Sequence, residues 1–180
     1  MTVEICEEYV GKDDKLNVEE PFVDPQGRAA ALNGLKLEDK VEAELVKIGM
    51  TAMSYREFES GFLKGPEGSK GLLLKRVPHV TPYGTRGYHE FSLRGVIPGN
   101  VRIECRSQRV AGTADEKLPY LFESVKIAQE GVAWIILDGD GFRANSKDWL
   151  KKNADAIKYK KIKVFPSFAS WKSWINVVFN

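Results

Sequence analysis

The residues of this chain most able to do chemistry together lie between Tyr88 and Lys117, in the run YHEFSLRGVIPGNVRIECRSQRVAGTADEK. The run reads as two strands joined by a tight turn, followed by the start of a helix. The first strand, Tyr88 to Arg94, carries Glu90; the second, Val101 to Gln108, carries Glu104, Arg106 and Gln108 at alternate positions. Side chains two apart on a strand share a face, so these three are expected to point one way and Ile103, Cys105 and Ser107 the other. Hydrolysis of a phosphodiester needs a nucleophilic water and relief of the charge that builds on phosphorus, and a Mg²⁺ held by carboxylates supplies both. Glu90 and Glu104 could hold such an ion, with the backbone carbonyl of Cys105 as a third ligand. Arg106 could meet the scissile phosphate or the attacking water, and Gln108 could fix a neighbouring group. The same residue types also fit a plainer alternative, a charged edge-strand face on which Glu and Arg simply pair. On residue types alone the plainer alternative is ahead.

Those strands need a scaffold, and the composition allows one. A chain of 180 residues with 43% hydrophobic and 11% aromatic content is expected to form one domain with an ample core. Charge is unevenly spread. Residues 1–20 hold seven acids against two lysines, a formal −5, whereas residues 141–180 hold Arg143 and eight lysines against two aspartates, a formal +7. That asymmetry fits a basic surface for a polyanion, with Lys158, Lys160, Lys161 and Lys163 as its densest part, and an acidic arm elsewhere. A lysine-rich solvated helix face fits it as well. Cys6 and Cys105 have no metal-type spacing with each other or with His79 and His89, which argues against zinc, and they make no disulfide framework. A reducing cytoplasm is therefore the expected location. The start MTVEICEEYVGKDD lacks the pattern of a secretory signal, and the longest apolar run, VAWIIL at 132–137, is too short to span a membrane.

In chain order, residues 1–26 read as an acidic arm and 27–180 as a single domain. A helical turn is expected over Gly27 to Leu32, broken by Asn33-Gly34. An amphipathic helix over Leu37 to Ile48 follows, with Leu37, Val41, Leu45 and Ile48 at helical spacing and Gly49 as its stop. Strands are expected from Thr51 and over Leu72 to Val77, separated by a glycine-rich loop at 61–71. The segment PHVTPYGTRG at 78–87 reads as a surface connection. After the two central strands, which turn at Pro98-Gly99-Asn100, Thr113 and Glu116 form a capping box for a helix. Pro119 would move that helix start toward Leu118. Val132 to Leu137 is a strand buried on both faces, Ser146 to Ala156 a helix, Ile162 to Phe165 a strand, and Ser167 to Val178 a helix with Trp171 and Trp174 in the core. Asp138-Gly-Asp-Gly lacks the later ligands of a calcium loop and reads as a turn. The order implies a mixed α/β sheet with helices on both faces and at least one parallel pair.

Several of these segments together resemble the PD-(D/E)XK nuclease superfamily. IECRSQ, fourteen residues after Glu90 and followed by GTADEKLPYL, is similar to branches that carry IECK-x-Q followed by GS-x-DEK. LEDKVEAELVKIG looks like the first helix of that fold, GYHEF like its first active-site strand, and VAWIILDGDGFRANSKDWL, with its Trp149-Leu150 pair, like the following strand and helix. The resemblance implies a restriction-endonuclease-like mixed sheet flanked by helices. It implies a metal-dependent DNA endonuclease of restriction or homing type, using Mg²⁺ (or Mn²⁺) and cutting double-stranded DNA as a homodimer. Glu38 matches a helix acid that often assists the metal. The other class of function open to such a chain is a degenerate nuclease fold that binds nucleic acid without cutting it.

Two departures separate the chain from that pattern. Glu90 stands where the family more usually has Asp, one methylene longer. Arg106 stands where it usually has Lys; arginine keeps the charge and can grip a phosphate, but its pKa is too high for proton transfer. Lys117, at the start of the next helix, could partly substitute. Tyr83, Arg86, Arg94 and Arg109 flank the site as candidate DNA contacts.

Overall fold

The computed structural model describes residues 25–61, 67–97, 99–110, 112 and 114–179; the acidic arm of residues 1–24 lies outside them. Six strands form one sheet in chain order: β1 (Met50–Ser54), β2 (Gly71–Val80), β3 (Arg86–Arg94), β4 (Val101–Ser107), β5 (Val132–Asp138) and β6 (Lys161–Phe165). β2, β3 and β4 pair antiparallel, whereas β1 with β2, β4 with β5 and β5 with β6 pair parallel. The fold is the mixed α/β sheet that the element order implied.

Strand alternation divides the core into two layers. On one face Leu73, Phe91, Leu93, Ile103, Cys105, Trp134 and Ile136 meet α1 (Pro25–Lys47) through Leu37, Val41 and Leu45, and α5 (Phe168–Phe179) through Trp171 and Ile175. On the other face Ala133, Ile135 and Leu137 meet Leu118, Leu121, Phe122 and Val125 of α3 (Ala114–Ile127) and Leu150 and Ala154 of α4 (Ala144–Ala156). β5 thus feeds apolar side chains to both layers, which is why VAWIIL is a continuous apolar run. Trp171 is fully buried and Trp174 packs edge-on to Trp134 at 5.1 Å, so both tryptophans are core residues. No helix among the described residues is long and apolar enough to cross a membrane.

Four expectations about element bounds need correction. α1 runs unbroken through Asn33-Gly34. One glycine costs a helix only about 1 kcal/mol, which the packed turns after it outweigh, and Pro25 opens the helix where a missing N–H matters least. Much of the expected connection at 78–87 is strand: β2 continues to Val80 and β3 begins at Arg86. Beyond Lys75, β2 has no partner on its β1 side, so Pro78 sits where the ladder needs no donor on one edge. The turn proper is short, closed by Thr81 N–H donating to Thr85 O at 2.8 Å and by a 2.8 Å bond between the two threonine hydroxyls. α3 starts at Ala114 with Pro119 inside it, near enough to its first turn that a single backbone bond is forfeited; Thr113 of the expected capping box lies outside the described residues. A short helix, α2 (Tyr55–Glu59), directly follows β1. It is capped by Ser54, whose hydroxyl accepts from Glu57 N–H at 3.1 Å while the Glu57 carboxylate accepts from Ser54 N–H at 2.7 Å.

Lys160 also changes role. Counted with the basic tail, it is instead buried, and its ammonium donates to the carbonyls of Val125 (2.7 Å) and Ala128 (2.5 Å) at the carboxy-terminal end of α3. Among the described residues Val125 O otherwise accepts only a long 3.4 Å bond from Ala128 N–H, and a cation there also complements the helix dipole. Lys160→Met should therefore lower stability by about 1–3 kcal/mol, since two carbonyls at the helix end lose their charged donor. Urea denaturation should find Lys161→Met, on an exposed neighbour, within about 0.5 kcal/mol of the parent.

Candidate active site

The site forms where β3 leaves its ladders. Lys75 pairs with Phe91 and Val77 with His89, but Arg76 and Glu90 between them are unpaired, and the β3–β4 ladder ends at Phe91–Ile103. Arg76 takes a left-handed φ of 53°, the one non-glycine positive φ among the described residues. The consequence is a change of facing along β2: Leu72, Leu74 and Val77 share one apolar cluster, which strict alternation would forbid. Glu90, free of both ladders, reaches β4, where its Oε2 accepts the N–H of Cys105 at 3.3 Å.

The alternation expected for β4 places Arg102, Glu104 and Arg106 on the α3 face and Ile103 and Cys105 in the α1 layer. Arg106 then bridges the acids. Its Nη1 donates to Glu90 Oε1 at 2.5 Å and to the Cys105 carbonyl at 2.6 Å, and its Nη2 donates to Glu104 Oε2 at 2.9 Å. Glu104 is fully buried, and its other oxygen is held by Arg102 through Nε at 2.7 Å and through Nη2. Burial works to raise the Glu104 pKa, but Arg106 and Arg102 outweigh it and hold the carboxyl down to about 2. Burial and the charge of Glu104 push Glu90 the other way, up to about 8, with Arg106 only partly offsetting them. The two carboxyls share Arg106, so their protons leave in steps that belong to the pair and not to either residue.

Arg102 is the site residue that the sequence reading passed over. It is 1% exposed, and its remaining donors go to the Ser124 carbonyl at 3.3 Å and the Ser124 hydroxyl at 2.9 Å, with His79 Nε2 3.3 Å away. This ties Glu104 to α3 and to the far end of β2. The signal was available: the alternation that groups Glu104, Arg106 and Gln108 also includes Arg102 one step earlier. His89 lies beside this network with its ring buried, and among the described residues neither ring nitrogen has a hydrogen-bond partner. Glu130 is 3.8 Å from it. Burial first, and then the Arg102 charge, lower the His89 pKa to about 3, so the ring is neutral and the contact is no ion pair. Burial lowers His79 as well.

A cavity of about 120 Å³ opens next to the acids, lined among others by His79, Tyr88, Arg102, Glu104, Arg106 and Tyr120. Around it, exposed Tyr83 stacks on Tyr120 at 5.4 Å, and Arg86 and Arg76 lie over the Tyr88 ring at 5.3 and 5.4 Å. The other expected residues are scattered. Gln108 is past the end of β4; its backbone N–H donates to Asp138 O and its carbonyl accepts from Gly141 N–H, so it braces the 138–141 turn, and among the described residues it makes no hydrogen bond to Glu90, Glu104 or Arg106. Gly139, at φ 95°, passes so close to Gln108 O that a Cβ would stand 2.2 Å from it. Arg94 is half-buried over the Phe58 ring, away from the cavity. Arg109 and Lys117 are exposed. Glu38 approaches from α1; burial raises its pKa while the charge of Arg106 opposes the rise.

Two carboxylates and a carbonyl are the right chemistry for a hard divalent ion, and these three groups do converge. They converge on Arg106. Both oxygens of each carboxylate are taken up by guanidinium or backbone N–H groups, and the Cys105 carbonyl is bonded to Arg106 as well. Arranged so, the residues do not fit a divalent ion, and among the described residues no group of three or more His, Cys, Asp or Glu is placed to hold one. Of the expected ligand set of Glu90, Glu104, Cys105 and Glu38, the first three face Arg106 in this arrangement.

The family model described as the PD-(D/E)XK nuclease superfamily domain matches residues 29–176. The chain belongs to that superfamily. No curated protein and no solved structure matches it significantly.

Two outcomes test this network. Arg102→Met should cost about 3–5 kcal/mol in urea denaturation, because it breaks a buried pair and leaves Glu104 short of a partner. Acidification should destabilise the domain partly through His89. The unfolded chain takes up that proton near pH 6.5 and the folded chain only near 3, so stability intact above 6.5 declines as pH falls toward 3. His89→Phe should make this decline shallower, read from unfolding midpoints across the same range.

Proposed function

We propose that this domain hydrolyses phosphodiester bonds of double-stranded DNA as an endonuclease of restriction or homing type, acting as a homodimer with one copy for each strand. The observation that carries the reading is the convergence of Glu90, Glu104 and Arg106 at a break in the sheet, in a domain of a nuclease superfamily. Arg106 is 36% exposed, so its unused donors can reach a phosphate, and a fixed cation is most useful where charge grows in the transition state. Tyr83 and Arg86, which pack on residues lining the cavity, suit backbone contacts there, and exposed Arg109 and Lys117 could add contacts elsewhere on the surface.

A second reading has an observation of its own. The double pairing of Arg106 satisfies both acids, which suits a domain that binds nucleic acid without cutting it.

Incubation with supercoiled plasmid in Mg²⁺ or Mn²⁺ separates the two. Nicked or linear product from the parent, absent with Glu104→Ala, supports hydrolysis. Arg106→Ala should then cut about 10²–10³-fold more slowly while binding changes little, and Arg106→Lys should keep or raise activity. Binding without any cleavage by either the parent or Arg106→Lys favours the second reading. DNA affinity should fall steeply with salt, and replacing Lys158, Lys161 and Lys163 with Gln should flatten that slope by about one unit for each phosphate no longer neutralised. An unchanged slope would move the basic surface to Arg86 and Arg109.

A further inference from the structure

We infer that the Arg106 guanidinium is the resident cation of this site: it stands between the ligands a divalent ion would use, and such an ion can enter only by displacing it. Arg106 donates to one oxygen of Glu90, to one oxygen of Glu104 and to the Cys105 carbonyl, so the acceptors that would face an ion face the guanidinium. The planar fork is what allows one side chain to span acceptors on β3 and β4 at once.

Charge balance points the same way. Glu90 and Glu104, when ionised, are matched by Arg102 and Arg106. Arg102 cannot withdraw, because it is 1% exposed and bonded to Glu104, Ser124 and His79. A dication added to this set would leave two uncompensated positive charges in a buried place, which is prohibitive. Arg106 is the group that can leave, since more than a third of its side chain is exposed. With it swung off the acids toward the cavity it lines, a dication beside Glu90, Glu104 and Arg102 leaves one uncompensated charge rather than two. Exchange of one cation for another is therefore the less costly route.

The test needs no DNA, so its outcome is separate from that of the cleavage assay. Mn²⁺ binding to the metal-free protein is measured by isothermal titration and by electron paramagnetic resonance, for the parent, Arg106→Ala, Arg106→Gln and Arg106→Ala with Glu104→Gln. The parent should bind Mn²⁺ at least about tenfold more weakly than either single variant, since removing the guanidinium frees charge-assisted acceptors. The double variant should lose that gain. Mn²⁺ should likewise raise the unfolding temperature of the single variants more than that of the parent. Arg106→Gln keeps a polar side chain of similar reach in case alanine prevents folding. Binding by the parent as tight as by both single variants, or a gain that survives Glu104→Gln, would overturn the inference.

Discussion

One guanidinium, that of Arg106, ties together what would otherwise be two buried carboxylates in mutual repulsion. Glu90 and Glu104 come from neighbouring strands, and each is deep enough that its charge would be costly without a partner. Arg106 meets both, and Arg102 completes Glu104 from behind. The arrangement is stable as a unit and fragile in its parts. A buried ion pair adds little net stability over apolar packing, yet losing one member leaves the other stranded. The same logic explains why the basic residues beside the acids are arginines: a fork meets two carboxylates in fixed geometry, where an ammonium would meet them as a point charge.

Glu90 can bond the backbone of β4 with its side chain only because β3 abandons both of its ladders at that residue. A regular strand would place Glu90 across from Glu104 and spend its backbone on pairing. Here Glu90 uses its side chain to satisfy Cys105 N–H, a group the ended ladder would have left without a partner. Left-handed backbone at Arg76 is the local strain that accompanies the break. The site is thus a defect in the sheet held in place by the charges that occupy it.

Much of the layout was legible in the sequence. Helical spacing of Leu37, Val41 and Leu45, the apolar run at 132–137 and the alternation around Glu104 follow directly from periodicity, and each has its expected place in the fold. The acids were legible too, as types at a spacing. Their partners were harder to see. Arg102 went unmarked because burial, which makes it a structural counter-charge, is a property of the packed α3 layer. Gln108 shares the parity of Glu104 but lies beyond the last strand residue, where alternation no longer governs direction. Arg76 carries no mark of its left-handed backbone, since residues that favour it are usually glycine or asparagine. Lys160 read as one of a run of tail lysines, although its ammonium closes the end of a helix 32 to 35 residues earlier in the chain.

The facing change at Arg76 divides the β2–β3 hairpin into two segments of independent phase. The base, Gly71 to Lys75 with Phe91 to Arg94, is locked to the core, because slipping it by one residue would turn Leu73 and Leu93 outward. The tip, from Val77 to His89, keeps its own alternation on the far side of the break and is joined to the base there without a ladder pair. Insertions or deletions within the Thr81–Thr85 turn would therefore leave the base register as it is. Evolution can reshape the rim of the cavity, where Tyr83, Arg86 and Tyr88 stand, while the floor that holds the acids is preserved.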